Sequence, residues 1–404
     1  MLASCITAIA PVRAQTPLGA SSPPLPAVDG PAGVDSVPLD ELRELAKVYA
    51  AIRASYVDEV DGKRLIHAAT VGMLRALDSH SEYYDAKTLA EFDQEMRGRY
   101  AGIGVQVVTF ARMMQVLGVI EDSPASRAGV LAGDVIESID GRAVGGSLGD
   151  ADRLRGPLDS DIALGIRREG TPDTLSISVK RAAVNLPSVA SEWLEPGIAH
   201  IVIHQVRERS ALELRQHLAT LRKAQLLRGI VLDVRRNPGG ILPAAVAISD
   251  TFLDAGRIVR TRSRLPELDA TFSAHAGDLS HGAAIVVLVD GATASAAELI
   301  AAALQDNGRA RVVGMRTFGK GSVQTVVPLD GGGAIKLTTA RYFTPQDRSL
   351  QAAGVVPDVD LAASRIRARD GSTVVTAKSD ASGDADADLA AALRELHSML
   401  ARPP

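Results

Sequence analysis

The sequence predicts a multidomain α/β protein with a helical region first, a β-rich module next and a larger β/α core after it. Apolar residues recur at helical spacing within residues 38–98. Short apolar runs separated by Gly, Asp and Pro fill residues 99–182, as in a sheet of short strands. Over residues 183–364, apolar strands alternate with helical segments, which favours a largely parallel sheet covered on both faces.

Composition and charge narrow the classes of partner. The chain has 404 residues, a length typical of two or three domains at roughly 150 residues each. Lys and Arg number 44 against 48 Asp and Glu, so the net charge is -4 and the sequence has no basic field of the kind that binds nucleic acid. Cys5 is the single cysteine, which excludes an internal disulfide and a cysteine zinc cluster.

The first residues are typical of an exported protein. Residues 1–14 are mostly small and apolar, and small residues precede Gln15 as they do at a signal-peptidase site. We therefore expect export to the periplasm or cell envelope. Cys5 stands in a lipobox-like setting, but the apolar run after it fits an ordinary signal segment better than a lipid anchor. Residues 15–37 are rich in Pro, Gly, Ser and Ala and are predicted to be a disordered linker.

Periodicity predicts the individual elements. Helices are expected at residues 38–57, 63–77 and 88–96, and the module should contain a strand at 103–107 and a short helix, a turn and a strand between 121 and 142. In the core we expect strands at 201–206, 229–234, 283–289 and 311–314, helices at 211–224, 241–253 and 295–307, and a hairpin of 322–329 with 334–344. Residues 365–404 form a low-complexity tail, in which apolar spacing predicts a terminal helix from Leu389 to Leu400 of open role.

Two corners of the core carry groups suited to chemistry. In alternating β/α sheets, reactive groups lie at the carboxyl ends of strands, where the next helix offers unpaired N–H groups. Gly239 and Gly240 follow a buried strand and let the backbone turn so that amides point outward, as an oxyanion needs. Ser295 opens the helix after another buried strand. Taken alone, the first corner is only a turn and Ser295 is a helix N-cap.

A lysine between two glycines changes this interpretation. Lys320 follows a further strand, in a turn that has little other reason to carry a long cation. A serine hydroxyl needs a base, and neither corner contains a histidine. Lysine can act as that base when it is uncharged, which requires its pKa to fall from about 10.4 toward about 7 by burial in an apolar pocket. Four histidines elsewhere in the core are predicted to be surface or packing residues: His200, His204, His275 and His281.

Three blocks of sequence resemble the signature of the carboxyl-terminal processing proteases, the S41 family of Ser/Lys peptidases. They are Val231–Gly240 (VLDVRRNPGG), Thr293–Glu298 (TASAAE) and Phe318–Gln324 (FGKGSVQ). The separations of 25 residues from Ser295 to Lys320 and of 4 from Lys320 to Gln324 agree with the family pattern. Many relatives carry Ser at the position of Ala297, but the nucleophile aligns two residues earlier.

The resemblance implies a crotonase-like β/α protease core and a serine endopeptidase that uses neither a metal nor another cofactor. Ser295 would be the nucleophile, Lys320 the general base and Gln324 the residue that orients the lysine. An oxyanion hole would consist of the Ala296 amide and one amide of the Gly239–Gly240 turn.

Residues 99–182 resemble a PDZ domain. Its carboxylate-binding loop corresponds to Gly102, Ile103, Gly104 and Val105, whose amides would receive a terminal carboxylate while the next strand pairs with the peptide. The implied partners are therefore protein or peptide C-terminal tails, and capture of a tail would open or align the protease site. The alternative is a β-module that only spaces the other domains. An activating adaptor and a homo-oligomer are further partners that the sequence leaves open.

Two functions of other classes compete with the protease. The first is a peptide-binding scaffold whose hydrolytic site is vestigial. The presence of all three catalytic residue types at matching positions argues against it. The second is a crotonase-like acyl-transfer or hydratase enzyme. It would need a coenzyme A site, and the sequence has no basic cluster suited to one.

Overall fold

The computed structural model describes residues 38–110, 113–145, 148–266, 269–362 and 386–401. The predicted signal segment, the predicted linker and most of the low-complexity tail lie outside the described residues. The chain divides into two units. The first holds the described residues up to Tyr83 together with Gln324–Thr338, and the second holds the remainder.

The first unit contains two of the predicted helices, which are confirmed as α1 (Leu39–Ser55) and α2 (Gly62–Arg75). Asp61 caps α2 by accepting from the Lys63 N–H at 3.0 Å. In the same unit, the Asp78 side chain accepts the N–H groups of His80 and Ser81 and shapes the turn after α2. Strand β1 (Glu82–Tyr84) follows that turn.

The second unit begins with helix α3 (Ala86–Met96), close to its predicted bounds, and continues into the β-rich module. The strands of the module are β2 (Arg99–Gly102), β3 (Val105–Phe110), β4 (Met113–Val119), β5 (Val135–Ile139), β6 (Arg142–Ala143), β7 (Asp161–Arg167), β8 (Leu175–Lys180) and β9 (Ala182–Asn185). Its short helices are α4 (Pro124–Arg127) and α5 (Leu148–Asp152). The main sheet has the order β3-β4-β5-β7-β8, with β6 paired to β5, so β3 lies at an edge.

The two ends of the module lie side by side. Strand β2, which enters it, pairs antiparallel with β9, which leaves it, in a register that sets Arg99 opposite Asn185 and Gly102 opposite Ala182. The module has its own core, in which Met114, Ile136 and Leu164 have no exposed surface. A separate core reached through a two-stranded stem makes this a distinct module within the unit.

The second core of this unit is a six-stranded sheet with the order β10-β11-β12-β15-β16-β19. Its strands are β10 (Val189–Glu195), β11 (Ile198–Ile203), β12 (Gly229–Asp233), β15 (Ala284–Val289), β16 (Arg311–Gly314) and β19 (Val359–Asp360). All neighbours are parallel except β10 with β11. The predicted, largely parallel sheet is confirmed, and the carboxyl ends of its parallel strands lie at one edge.

Both faces of this sheet are covered, as predicted. In β12, Ile230 and Leu232 point into the cluster beneath the helices α6 (Ser210–Ala224), α7 (Leu242–Asp250) and α8 (Ala296–Asp306). Val231, between them, points to the opposite face. There it meets Ala392 and Leu396 of the terminal helix α9 (Ala387–Ala401). The terminal helix, whose role the sequence left open, is thus the cover of the second face.

A further sheet, which contains β13, was not predicted in full. Strand β13 (Arg257–Ser263) pairs antiparallel with β14 (Ala270–Ser273) and with residues 340–343 of β18 (Ala334–Phe343). The predicted hairpin is confirmed as β17 (Ser322–Pro328) and β18. The register sets Thr261 opposite Tyr342, and both side chains are buried. In the described part of the chain, every helix is too short or too polar to cross a membrane.

Candidate active site

The turn after β12 is held by its own side chain. Asn237 is fully buried, donates from Nδ2 to the Ile203 carbonyl at 2.7 Å and accepts the Gly239 N–H at 2.9 Å. Gly239 and Gly240 both have positive φ, and a Cβ on Gly240 would collide with the Val206 carbonyl oxygen. Glycine is therefore required here. Because the Gly239 N–H already has a partner, it can serve an oxyanion only by exchanging that hydrogen bond.

Ser295 lies at the corner that follows β15, immediately before α8. Its φ of 55° is in the left-handed region, a conformation that costs a non-glycine residue about 1–3 kcal/mol. The side chain is buried and hydrogen-bonds the hydroxyl of Tyr342. Burial raises the pKa of Tyr342 above its ordinary value, and the hydrogen bond with Ser295 only partly opposes this, so the phenol stays protonated at neutral pH. Ala296 is the first residue of α8, so its N–H has no acceptor within the helix.

The two corners are joined directly to each other. The Ala294 N–H donates to the Asn237 carbonyl at 2.9 Å, and Thr293 Oγ1 donates to the Val234 carbonyl at 2.9 Å. A Cβ added to Gly239 would lie 2.8 Å from the Cβ of Ser295. The structure thus brings together Ser295 and the Gly239–Gly240 turn, as the positions of both at strand ends predict.

Glu298 links the serine corner to the lysine turn. It is fully buried, and its Oε2 accepts the N–H groups of Ser295 at 2.7 Å and Lys320 at 2.9 Å. Its Oε1 accepts the Thr317 hydroxyl at 2.5 Å and the Gly319 N–H at 2.7 Å. One carboxylate therefore fixes the backbone on both sides of the site, and four donors supply the pairing that a buried carboxylate needs.

The lysine turn is also fixed on its other side. The Ala352 N–H donates to the Gly319 carbonyl at 2.8 Å, and the Gly321 N–H donates to Gln351 Oε1 at 3.0 Å. Lys320 between them is half-buried. Gln324 belongs to the first unit, where its Nε2 donates to Thr338 Oγ1 at 3.4 Å.

The prediction for the four histidines holds for three of them. His204, His275 and His281 are exposed. His200 is buried but is more than a packing residue, because its Nε2 lies 3.2 Å from Asp233 Oδ2. Burial opposes ionisation of Asp233, but hydrogen bonds from His200 and Arg235 outweigh it and lower the pKa of Asp233 to about 2. Asp233, the last residue of β12, is therefore a charged group shortly before the corner at Asn237.

The predicted carboxylate-binding loop connects β2 to β3. Gly102, Ile103 and Gly104 are buried and Val105 is half-buried. The Ile103 carbonyl accepts the Ala125 N–H at 2.8 Å, and Gly104 has a φ of 86° and hydrogen-bonds the Tyr100 hydroxyl through its backbone. The loop thus leads directly into the edge strand β3, and the Tyr100 hydroxyl occupies part of it.

Sequence reasoning missed two residues of this site. Glu298 stands three residues after Ser295, the spacing of a capping box, and that signal could have identified it. Tyr342 is brought to Ser295 by the pairing of β13 with β18, which no local pattern predicts.

Comparisons with known proteins agree with this organisation. Residues 197–361 match peptidase family S41, residues 115–168 match a PDZ domain, and residues 27–88 match the N-terminal domain of the activating protease CtpB. The carboxy-terminal-processing protease of Bartonella bacilliformis is 39% identical over 324 residues, which cover 79% of this chain and 74% of that protein. The carboxy-terminal processing protease CtpB of Bacillus subtilis is 33% identical over 346 residues, covering 83% and 71%. The solved structure of a candidate S41 protease from Bacteroides fragilis has a TM-score of 0.50 at 15% identity, over 87% of this chain and 97% of that one, which is a likeness of fold.

Proposed function

The chain belongs to the carboxy-terminal processing proteases of peptidase family S41, and from that premise we propose that it cleaves proteins with a Ser295–Lys320 dyad after its PDZ domain has bound their C-terminal tails. Membership makes it a serine peptidase and disfavours both the scaffold and the coenzyme A enzyme. The observation that supports the dyad best is Glu298, which accepts the backbone N–H groups of both Ser295 and Lys320.

The proposed reaction begins when Ser295 Oγ attacks the scissile carbonyl carbon. The Lys320 amine takes the hydroxyl proton as the new C–O bond forms, and the carbonyl oxygen becomes an oxyanion. The Ala296 N–H and an amide of the Gly239–Gly240 turn donate to that oxyanion. Lys320 then gives the proton to the leaving amine, the C–N bond breaks, and water hydrolyses the acyl-enzyme. The part of Gln324 in orienting Lys320 rests on the family resemblance alone.

The proposed capture of tails rests on the edge position of β3. An edge strand has unpaired backbone groups to which an extended peptide can add as a further strand. The loop from Gly102 to Val105 lies at the start of β3, where the carboxylate of such a peptide would arrive. Export to the periplasm or cell envelope, where exposed tails of other proteins would be met, is part of the same proposal.

The test of tail capture compares two peptides that differ only in their C-terminal group. A quenched fluorescent peptide with a free C-terminal carboxylate should be hydrolysed with a kcat/KM at least about 10-fold above that of its C-terminal amide, because charge-assisted hydrogen bonds to backbone N–H groups are lost in the amide. A peptide cut at the same internal site but with an acidic side chain added near its amino end is the control for charge alone. Equal kcat/KM values for the acid and the amide would refute tail capture and leave the dyad untouched.

A separate prediction concerns Glu298. In Glu298→Gln, the amide NH2 faces two of the four donors in either orientation, and a buried donor left unpaired costs about 1–3 kcal/mol. We expect the free energy of unfolding to fall by about 2–5 kcal/mol and kcat to fall at least about 10-fold through loss of alignment. Urea unfolding and peptide hydrolysis measure the two effects. Glu208→Gln, an exposed carboxyl of the same core, is the control, and the alignment role is wrong if the two variants behave alike.

A further inference from the structure

A series of hydrogen-bonded ionisable side chains starts at His200 on β11 and passes through Asp233 at the carboxyl end of β12, just before the Gly239–Gly240 turn. His200 Nδ1 lies 3.1 Å from Glu192 Oε1, and its Nε2 lies 3.2 Å from Asp233 Oδ2. Asp233 accepts the Arg235 Nε at 3.0 Å on Oδ1 and the Arg235 Nη2 at 2.7 Å on Oδ2. Arg235 Nη1 continues to Asp386 Oδ1 at 2.9 Å. The proposed mechanism uses none of these groups.

The backbone connects this series of side chains to the Gly239–Gly240 turn. Asp233 is the last residue of β12, and its Oδ1 also accepts the Arg235 N–H at 3.0 Å. The next residue, Arg236, is held at a φ of 56°, which a residue other than glycine adopts only when its surroundings enforce it. Asn237 and the two glycines follow directly. The direction in which the turn leaves the sheet is therefore set where Arg235 is anchored.

Asp386 performs two tasks at the start of the terminal helix α9. Its Oδ1 accepts the N–H groups of Asp388 at 3.1 Å and Leu389 at 3.2 Å, which caps the helix. The same carboxylate holds the Arg235 guanidinium with both oxygens, which makes the contact bidentate. Arg235 thus forms ion pairs with both Asp233 and Asp386.

We propose that Asp386 is a positioning residue of the peptidase. By binding Arg235 it fixes the direction of the turn that carries Gly239 and Gly240. The terminal helix thereby supports the oxyanion hole without contacting substrate. The inference rests on the proposed function, because the turn matters to catalysis only if its amides receive the oxyanion. The alternative is that α9 is only a cover of the sheet and that Asp386 merely fastens it.

The chain offers a matched pair of variants that separates these roles. Asp386→Asn keeps the helix cap, since Asn caps as well as Asp, but removes the charge opposite Arg235. Glu395→Gln removes a charge from the same helix, where Glu395 Oε1 lies 2.7 Å from Arg311 Nε on β16, away from the turn. If α9 is only a cover, the two variants should have similar effects. If Asp386 positions the turn, only Asp386→Asn should slow the chemical step.

The test measures kcat and KM with a quenched fluorescent peptide, together with the rate at which a fluorophosphonate labels Ser295. Removal of a whole oxyanion donor lowers kcat about 10²–10³-fold, so an indirect effect should be smaller. We expect Asp386→Asn to lower kcat and the labelling rate by about 10-fold with KM changed less than about two-fold, and Asp386→Glu to restore part of the loss. Glu395→Gln should stay within about two-fold of the unaltered protein in all three values.

Each outcome decides the inference. Equal kcat values for Asp386→Asn and Glu395→Gln at equal thermal stability would overturn it, as would a change confined to KM. If Asp386→Asn is less stable, measurement at a temperature where both variants are fully folded by circular dichroism removes that difference. Ser295→Ala separates this failure from failure of the proposed function: hydrolysis by that variant refutes the dyad itself, whereas an inactive Ser295→Ala beside a fully active Asp386→Asn refutes only the inference.

Discussion

Ser295→Ala should abolish peptide hydrolysis. Removal of the hydroxyl leaves no atom that can form the acyl-enzyme, and loss of the nucleophile in a serine protease lowers kcat by up to about 10⁶-fold. The oxyanion donors and the lysine would remain, so only a trace of turnover by direct attack of water is expected. Release of fluorescence from a quenched peptide over several hours measures it, and mass spectrometry of a fluorophosphonate-treated sample should show labelling of the unaltered protein alone.

The fold should survive this change. The Ser295 side chain lies against Tyr342, and its truncation leaves α8 anchored by the Glu298 contacts with the backbone. Ser249→Ala is a matched control, because Ser249 is a fully buried serine of the same core whose hydroxyl donates only to the Ala245 carbonyl one turn earlier in α7. Hydrolysis by Ser295→Ala at a rate near that of Ser249→Ala would show that another group attacks the peptide bond.

Lys320→Arg should be nearly as inactive as Lys320→Ala. Arginine keeps a long cation between the two glycines but cannot lose its proton in a protein, so it cannot accept one from a serine hydroxyl. General-base catalysis contributes typically about 10²–10⁴-fold, and we expect kcat to fall by that factor in both variants while tail binding by the PDZ domain is unchanged. Steady-state hydrolysis measures kcat, and fluorescence anisotropy of a labelled tail measures binding.

The control for this exchange is Lys180→Arg on the surface of the β-rich module, where the Lys180 side chain is 61% exposed. It should leave both kcat and tail binding unaltered. Retention of more than about half of the activity in Lys320→Arg would contradict a role as base and leave electrostatic support as the function of the cation. A loss confined to Lys320→Ala would have the same meaning.

The sequence could predict the helices and strands whose conformation is determined by local residue patterns. The strand Ala284–Val289 is an uninterrupted apolar run, and the helix Ala296–Asp306 lies between Ser295, a residue typical of helix starts, and Gly308, which can end a helix in the left-handed conformation. Both are therefore predicted nearly at their observed bounds. Strand Arg257–Ser263 carries three arginines among its seven residues, without a regular alternation of polar and apolar positions, and becomes a strand by pairing with two others. Its conformation depends on partners that are distant along the chain, which a local pattern does not contain.

The candidate site likewise contains residues that local patterns predict and contacts that depend on distant segments. Ser295 and the two glycines could be located because glycine and helix-start signals mark the ends of strands. The contacts of Glu298 with Thr317 and Gly319, and that of Ser295 with Tyr342, arise only when separate segments meet. The sequence likewise places Asp386 in a polar stretch before a helix, and nothing in that stretch indicates the arginine to which it binds.

The antiparallel pairing of β2 with β9 has a consequence for how such a chain can change. A recognition module whose first and last residues are neighbours behaves as a cassette, because whatever replaces it needs only to bridge two adjacent strand ends. Lineages could exchange or lose the PDZ module without altering the register of a single strand in the six-stranded sheet. The grafting of an unrelated ligand-binding domain between Gly102 and Ala182 would therefore offer a direct route to a peptidase with a new choice of target.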